Sequence, residues 1–213
     1  MDSKTITAVL EALERNCMAA FYVPTAAEAA EKVASLLHDG ARVACGGSMT
    51  LAECGVMDLL RSGRYAFIDR DKATTPEQRR QLMVDALSAD TYLCSANAIT
   101  MNGELFNVDG NGNRIAALTF GPRSVIVVAG CNKLVEDVPA AVERVRRVAA
   151  PKNAARLSCD TYCAKVGHCV ALDAPMGQGC GSDGRICADF LLTGRQLQQG
   201  RIKVILVGEP LGY

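Results

Sequence analysis

A chain of 213 residues with 49% hydrophobic and 22% charged residues can bury a full core, and its 23 basic residues balance 23 acidic ones. No basic surplus points to nucleic acid, no acidic block reads as a tail, and without Trp and with 5% aromatics a stacking platform for single strands is excluded. No apolar run reaches membrane-spanning length and the start lacks a signal-peptide pattern, so the expectation is a cytoplasmic protein without membrane insertion.

In chain order, Thr5 to Asn16 carries Ile6, Val9, Leu10 and Leu13 on one helical face. Phe21-Tyr22-Val23 reads as a short strand stopped by Pro24. Thr25, with Glu28 three residues on, caps a second helix that ends at Asp39-Gly40. Arg42 to Cys45 is a short buried strand. Gly46-Gly47-Ser48 turns sharply, and Thr50 with Glu53 offers a capping box for a helix to about Leu60. Tyr65 to Ile68 is a strand, and Thr75-Pro76-Glu77-Gln78 starts a helix that runs to about Ser88. Thr91 to Cys94 is a strand. Asn102-Gly103, between Ala98-Ile99-Thr100 and Leu105-Phe106, is a hairpin tip. Gly112 to Phe120 reads as a short helix and Ser124 to Ala129 as a buried parallel strand. Asp137 caps a helix from Val138 to Ala149, and Ile202 to Val207 is a further strand.

Strands alternating with helices predict an α/β fold with a mainly parallel sheet and helices on both faces, one domain over residues 1–213. Between 158 and 194 this rhythm stops, and the stretch reads as a cysteine-rich loop insertion. In such sheets ligands bind beyond the carboxyl ends of the strands. Three segments fall there: Cys45 to Ser48, the stretch opening after Cys94, and Gly130 to Lys133.

The stretch after Cys94 is crowded with asparagine and glycine. From Asn107 through Asp109, Gly110, Asn111 and Gly112 to Asn113 it leads from a strand into a helix, where bare amides and uncharged side chains suit a phosphate or carboxylate. Tight turns are the plain alternative. Gly46, Gly47, Ser48 and Thr50 join the candidate ligand site; for Ser48 and Thr50 a helix cap is the plain alternative. Lys133, just past the strongest strand, is placed to neutralise an anion. Glu104 and Asp109 are the only carboxylates in the central stretch and so the candidate general bases, although turn carboxylates are more often solvated. No Ser-His-Asp set is recognisable, and there are two histidines, His38 and His168.

Five of the ten cysteines, Cys159, Cys163, Cys169, Cys180 and Cys187, crowd into one loop at spacings of three, five, ten and six intervening residues. A loop with little apolar content needs another source of order. Thiolates on a soft metal, an iron–sulfur cluster or zinc, would supply it. The spacings match neither paired zinc motifs nor the ferredoxin run, and a metal-free loop or a redox disulfide remains open. Lys165, Arg185 and Lys203 are candidates to offset thiolate charge. The scattered Cys17, Cys45, Cys54, Cys94 and Cys131 read as small buried hydrophobes, with Cys45 and Cys131 near the presumed site.

With these residues in view, the chain resembles the LUD family, named for lactate utilisation. The resemblance rests on G-G-S-M-T-L from Gly46, the stretch Ser95 to Leu118, V-I-V-V-A-G-C-N-K ending at Lys133, V-R-R-V-A-A-P ending at Pro151, R-I-C ending at Cys187, and I-L-V-G-E-P-L-G-Y ending at Tyr213. More distantly, A-I-T-x-N-G-x-x-x-N from Ala98 to Asn107 is similar to the superfold of ribose-phosphate isomerases, glucosamine-phosphate deaminases and CoA-transferases. That likeness implies a three-layer, Rossmann-like core with its pocket near this motif. Related isomerases carry an aspartate where Asn97 stands, so their acid–base chemistry is not expected. The family resemblance implies an accessory protein in an iron–sulfur system that oxidises L-lactate to pyruvate, with ferredoxin-like or cysteine-rich partner subunits. Cys163, Cys169, Cys180 and Cys187 are the implied ligands, and Cys159 is an extra. Relatives space these cysteines closely, whereas ten residues separate Cys169 from Cys180 here. A non-enzymatic sensing or assembly module with structural cysteines is the alternative. A sugar-phosphate or CoA-linked enzyme is a further one, and a homo-oligomer is compatible with either.

Overall fold

The computed structural model describes residues 2–213 and contains ten strands: β1 (Ala19–Val23), β2 (Arg42–Cys45), β3 (Ala66–Ile68), β4 (Thr91–Cys94), β5 (Ala98–Thr100), β6 (Leu105–Asp109), β7 (Ser124–Gly130), β8 (Leu134–Val135), β9 (Asp189–Thr193) and β10 (Ile202–Val207). Six of them form a wholly parallel sheet in the order β1-β10-β7-β4-β2-β3. The helices are α1 (Ser3–Arg15), α2 (Ala26–Leu36), α3 (Met49–Glu53), α4 (Val56–Arg61), α5 (Pro76–Asp85), α6 (Asn113–Thr119), α7 (Val138–Arg144), α8 (Ala150–Arg156) and α9 (Tyr162–Val166).

Alternation along the central strands divides the core. Val125, Val127 and Ala129 of β7, with Ile202, Val204 and Leu206 of β10, face Val9 and Leu13 of α1 and Ala117 and Leu118 of α6. Ile126, Val128, Ile205 and Val207 face the other way, against Ala29 and Val33 of α2 and Leu51, Val56 and Leu60 of α3 and α4. A run such as S-V-I-V-V-A-G is apolar throughout because both its faces are covered. Each such side chain contributes about 1.5–3 kcal/mol by leaving water.

A second, four-stranded sheet, β8-β5-β6-β9, was not expected. Its centre is the hairpin turned by Asn102-Gly103. The tip is held against the end of α1, where Asn16 Nδ2 donates to the carbonyls of Asn102 and Gly103. β9 lies inside the stretch read as loop and pairs antiparallel with β6, from Asp109↔Asp189 to Leu105↔Thr193. The outer face of this sheet packs Ala98, Phe106 and Val108 on Ala141 and Val145.

Several helix boundaries differ from expectation, and α2 ends at Leu36, short of Asp39-Gly40. Ser48, not Thr50, caps α3 by accepting from Leu51 N, and Gly55 at φ +74 breaks the expected single helix into α3 and α4. The helix expected to stop before Pro151 runs on to Arg156 through a π-helical turn at Val145–Ala149. The wider turn accommodates a residue without an N–H inside the helix.

Candidate functional site

A cleft of about 240 Å³ opens beyond the carboxyl ends of β2, β4 and β7, with β6 and the π–α8 helix as its far wall. Its lining carries Arg70, Arg79, Arg114, Lys133 and Arg156 and a single acidic side chain, Asp109. Such a cluster in a partly desolvated cleft favours an anion.

Lys133 sits in a short 3₁₀ turn after β7 and is buried, 3% exposed. Its Nζ donates to Thr50 Oγ1 at 2.8 Å and Ser95 Oγ at 2.9 Å. Burial, with Arg144 and Arg114 nearby, pulls its pKa down to about 7. Arg114 is locked in place. Nε donates to Asp109 Oδ1 at 2.8 Å, and Nη2 donates to Asn97 Oδ1 and to Val108 O, both at 2.7 Å. Nη1 donates to Ser95 O, and Asp109 Oδ2 also accepts from Ile115 N in the first turn of α6. Asp109 is thus committed as a clamp. Asn97 is too, since Oδ1 accepts from Val108 N as well.

Arg70 and Arg79 are different. Neither donates a side-chain hydrogen bond among the described residues, and the only ion pair of Arg70 is a 4.0 Å approach to Asp71. The Arg70 guanidinium lies on Gly47, where any Cβ would strike it. The C-terminal segment closes the cleft beside Lys133. Leu211 O accepts from Thr50 Oγ1, Gly212 N donates to Glu53, and Tyr213 lines the wall.

Of the expected ligand residues, Gly47, Ser48, Thr50, Asp109, Gly110, Asn111, Asn113 and Lys133 line this cleft. Gly46 and Gly112 do not. Gly46 lies under Tyr92, and Gly112 turns at φ +68 into α6, facing a neighbouring groove with Arg79. Asn107 is buried at 1% exposure with neither amide atom hydrogen-bonded, on the β6 face it shares with Leu105. Glu104 is also off the lining: it accepts from Thr100 Oγ1 in the hairpin. Sequence reasoning missed Ser95, Arg70, Arg79, Arg114, Arg156 and Tyr213. Ser95 carried a signal, being the first residue beyond β4.

Cys163, Cys169, Cys180 and Cys187 line one small, mostly apolar pocket between α7, the π turn and β9. Cys159 does not line it. Cys169 Sγ accepts from Ala171 N. Burial raises the Cys180 thiol, but hydrogen bonds from Ser182 and the charge of Arg185 outweigh it and leave the pKa lowered. Cys187 is pushed up by burial. Among the described residues no three His, Cys, Asp or Glu side chains close to metal-binding distance. Arginine side chains bridge the loop. Buried Arg146, on the π turn, donates to the carbonyls of Leu172, Ala174, Pro175, Met176 and Gln178. Arg185 adds Gly177, Cys180 and Cys187. Lys165 pairs with Asp160, Lys203 serves Ser124 far from the loop, and exposed His168 meets Tyr162 edge-to-face. Cys45 and Cys94 are buried thiols pushed up to about 12.

The LUD domain family model matches residues 6–207. The chain belongs to the LUD domain family. Its fold is similar to a DUF162 family protein from Deinococcus radiodurans, at 17% identity and a TM-score of 0.53, covering 96% of this chain and 97% of that one. It overlaps more loosely with eIF2B delta from Chaetomium thermophilum, at 16% identity and a TM-score of 0.34 over 63% of this chain and 52% of that one. No curated protein gives a significant match. This LUD domain thus shares its α/β fold with a relative of nearly equal length. Among its described residues no helix is long and apolar enough to cross a membrane.

Proposed function

We propose that this LUD domain binds a small carboxylate in the Lys133 cleft and serves an iron–sulfur redox system that oxidises L-lactate to pyruvate. The observation that carries the reading is the charge of the lining. Asp109 is spent on Arg114, which leaves Arg70, Arg79 and Lys133 without a carboxylate of their own to neutralise them beyond the distant Asp71 contact. Two guanidiniums can grip a carboxylate in fork geometry while Lys133 faces the remainder of the ligand. Titration with lactate, pyruvate and inorganic phosphate tests this; Arg70→Ala and Arg79→Ala each weaken carboxylate binding without unfolding the chain.

The cysteine pocket supports a second part of the proposal. Four soft sulfur donors on one pocket, with N–H groups and Arg185 beside two of them, fit a thiolate-bound metal by donor chemistry. Cys163, Cys169, Cys180 and Cys187 would hold it. An iron–sulfur cluster would supply electron transfer to a partner subunit; zinc would supply only order. Anaerobic purification with iron, sulfide and zinc analysis decides between them. A metal-free protein that supports lactate oxidation would sink this part.

A non-enzymatic sensing or assembly module is favoured by one observation: Arg146 and Arg185 tie the loop together through hydrogen bonds to its main-chain carbonyls. Cysteine-to-serine variants that keep lactate-dependent growth would support that module. Sugar-phosphate chemistry has little support, because Asn97 is a clamped amide and Glu104 lies off the cleft lining.

A further inference from the structure

Lys133 is the only buried lysine among the described residues, and anion binding alone leaves its chemistry unused. Nζ has two hydrogen-bond partners, the hydroxyls of Thr50 and Ser95. Both hydroxyls give their own protons to main-chain carbonyls, Thr50 to Leu211 O and Ser95 to Ala96 O. They therefore accept from Nζ. A neutral amine has two N–H bonds and one lone pair. With both N–H bonds taken by these acceptors, the lone pair is the position on the nitrogen left without a partner, on a residue that lines the cleft. No carboxylate forms an ion pair with Nζ among the described residues.

We propose that Lys133 condenses with the carbonyl of a 2-oxo carboxylate held in this cleft and forms an imine. The proposal rests on the carboxylate-binding reading above, with Arg70 and Arg79 taking the acid group. A small acid carrying a carbonyl beside its carboxylate offers one group to each kind of basic side chain that lines the cleft, the acid to the guanidiniums and the carbonyl to the amine.

The chemistry balances without an oxidant. The Nζ lone pair attacks the carbonyl carbon, and the C=O π pair moves onto oxygen. Proton transfer from nitrogen to oxygen, for which the Ser95 hydroxyl is within hydrogen-bond reach of Nζ, gives the carbinolamine. The proton that the ammonium released on becoming the free amine returns to the hydroxyl, which departs as water while nitrogen forms the C=N bond. Counted from the ammonium form, the net change is ammonium plus ketone giving protonated imine plus water. The surroundings keep the amine available near neutrality. Burial, Arg144 of α7 and Arg114 of α6 favour the neutral form, and they outweigh Glu53 of α3 and Cys94 of β4, which act the other way.

The test is reductive trapping on the full chain. Protein is incubated with pyruvate or glyoxylate and borohydride, then digested and mapped by mass spectrometry, with binding of the same acids measured in parallel by calorimetry. The expected result is one carboxyalkyl group on Lys133, absent in Lys133→Met, with a yield that rises as pH passes through about 7. Saturable binding without an adduct on Lys133, or adducts only on exposed lysines such as Lys4 and Lys152, overturns the imine and leaves the anion cleft standing. Absence of both binding and adduct overturns the cleft reading together with the imine. Site mapping in the unaltered protein keeps the test decisive even where Lys133→Met folds poorly.

Discussion

At the residue scale, the clamp around Arg114 and the burial of Lys133 carry the account. Arg114 and Asp109 have side chains 15% and 9% exposed, and removing one partner leaves the other as an uncompensated buried charge. Arg114→Met should therefore cost about 3–5 kcal/mol, read from the urea midpoint. Lys133 predicts a pH signature. An unfolded lysine titrates at 10.5 and the folded one near 7. Below 7 both states hold the proton, and the fold bears the full cost of a buried ammonium. Between the two values the unfolded chain binds more protons, so this residue makes stability rise with pH there. Lys133→Met removes that slope, and its stability relative to the parent should fall from about pH 6 to about pH 9. Parallel urea-stability profiles for the two proteins would contradict this. The lining positions of Lys133, Gly110, Asn111 and Asn113 were legible in sequence because these residues follow strands into turns. Arg70 and Arg79 were not, since they reach the cleft on long side chains from a 3₁₀ turn and from α5, which spacing along the sequence does not reveal. Asn107 was misleading in the same way: its strand position, not its chemistry, decides that it is buried.

At the element scale, the cysteine-rich stretch was read as loop because its glycines and cysteines break helical and strand periodicity. The strand β9 hides there: only a partner with exposed edge, β6, makes D-F-L-L-T extended. The π turn was equally hidden, because Pro151 normally marks a helix end. That turn has a purpose in packing, since it carries Arg146 to the loop carbonyls. Arg146→Met should release the segment around 170–180 while leaving the parallel sheet intact. Limited proteolysis should then cut there, with the global thermal transition little changed. A variant that resists cleavage there as the parent does would show that the cysteines, or a metal on them, order the loop instead. Gly130 makes the opposite case of an inflexible joint. A Cβ there would run into Leu211 N and meet Glu209 O at 2.7 Å, both main-chain atoms. Gly130→Ala should displace the C-terminal segment from Thr50 and cost about 1–3 kcal/mol in urea unfolding.

At the scale of the whole molecule, alternation of apolar strands with capped helices was enough to place the parallel sheet and its two covered faces. The second sheet escaped notice beyond its hairpin because β8 is two residues long and β9 lies in the stretch read as loop. The family follows from the match over residues 6–207, and the fold from the Deinococcus radiodurans relative. The proposed function rests on the cleft where both sheets and the π–α8 helix meet. Its central claim is that Arg70, Arg79 and Lys133 together take a small carboxylate. Calorimetric titration of lactate and pyruvate into the parent protein and into Arg70→Ala/Arg79→Ala is the most direct measurement. The account predicts saturable binding at one site, weakened about tenfold or more in the double variant. Equal affinity in both proteins, or no saturable binding of either acid to the parent, would contradict it.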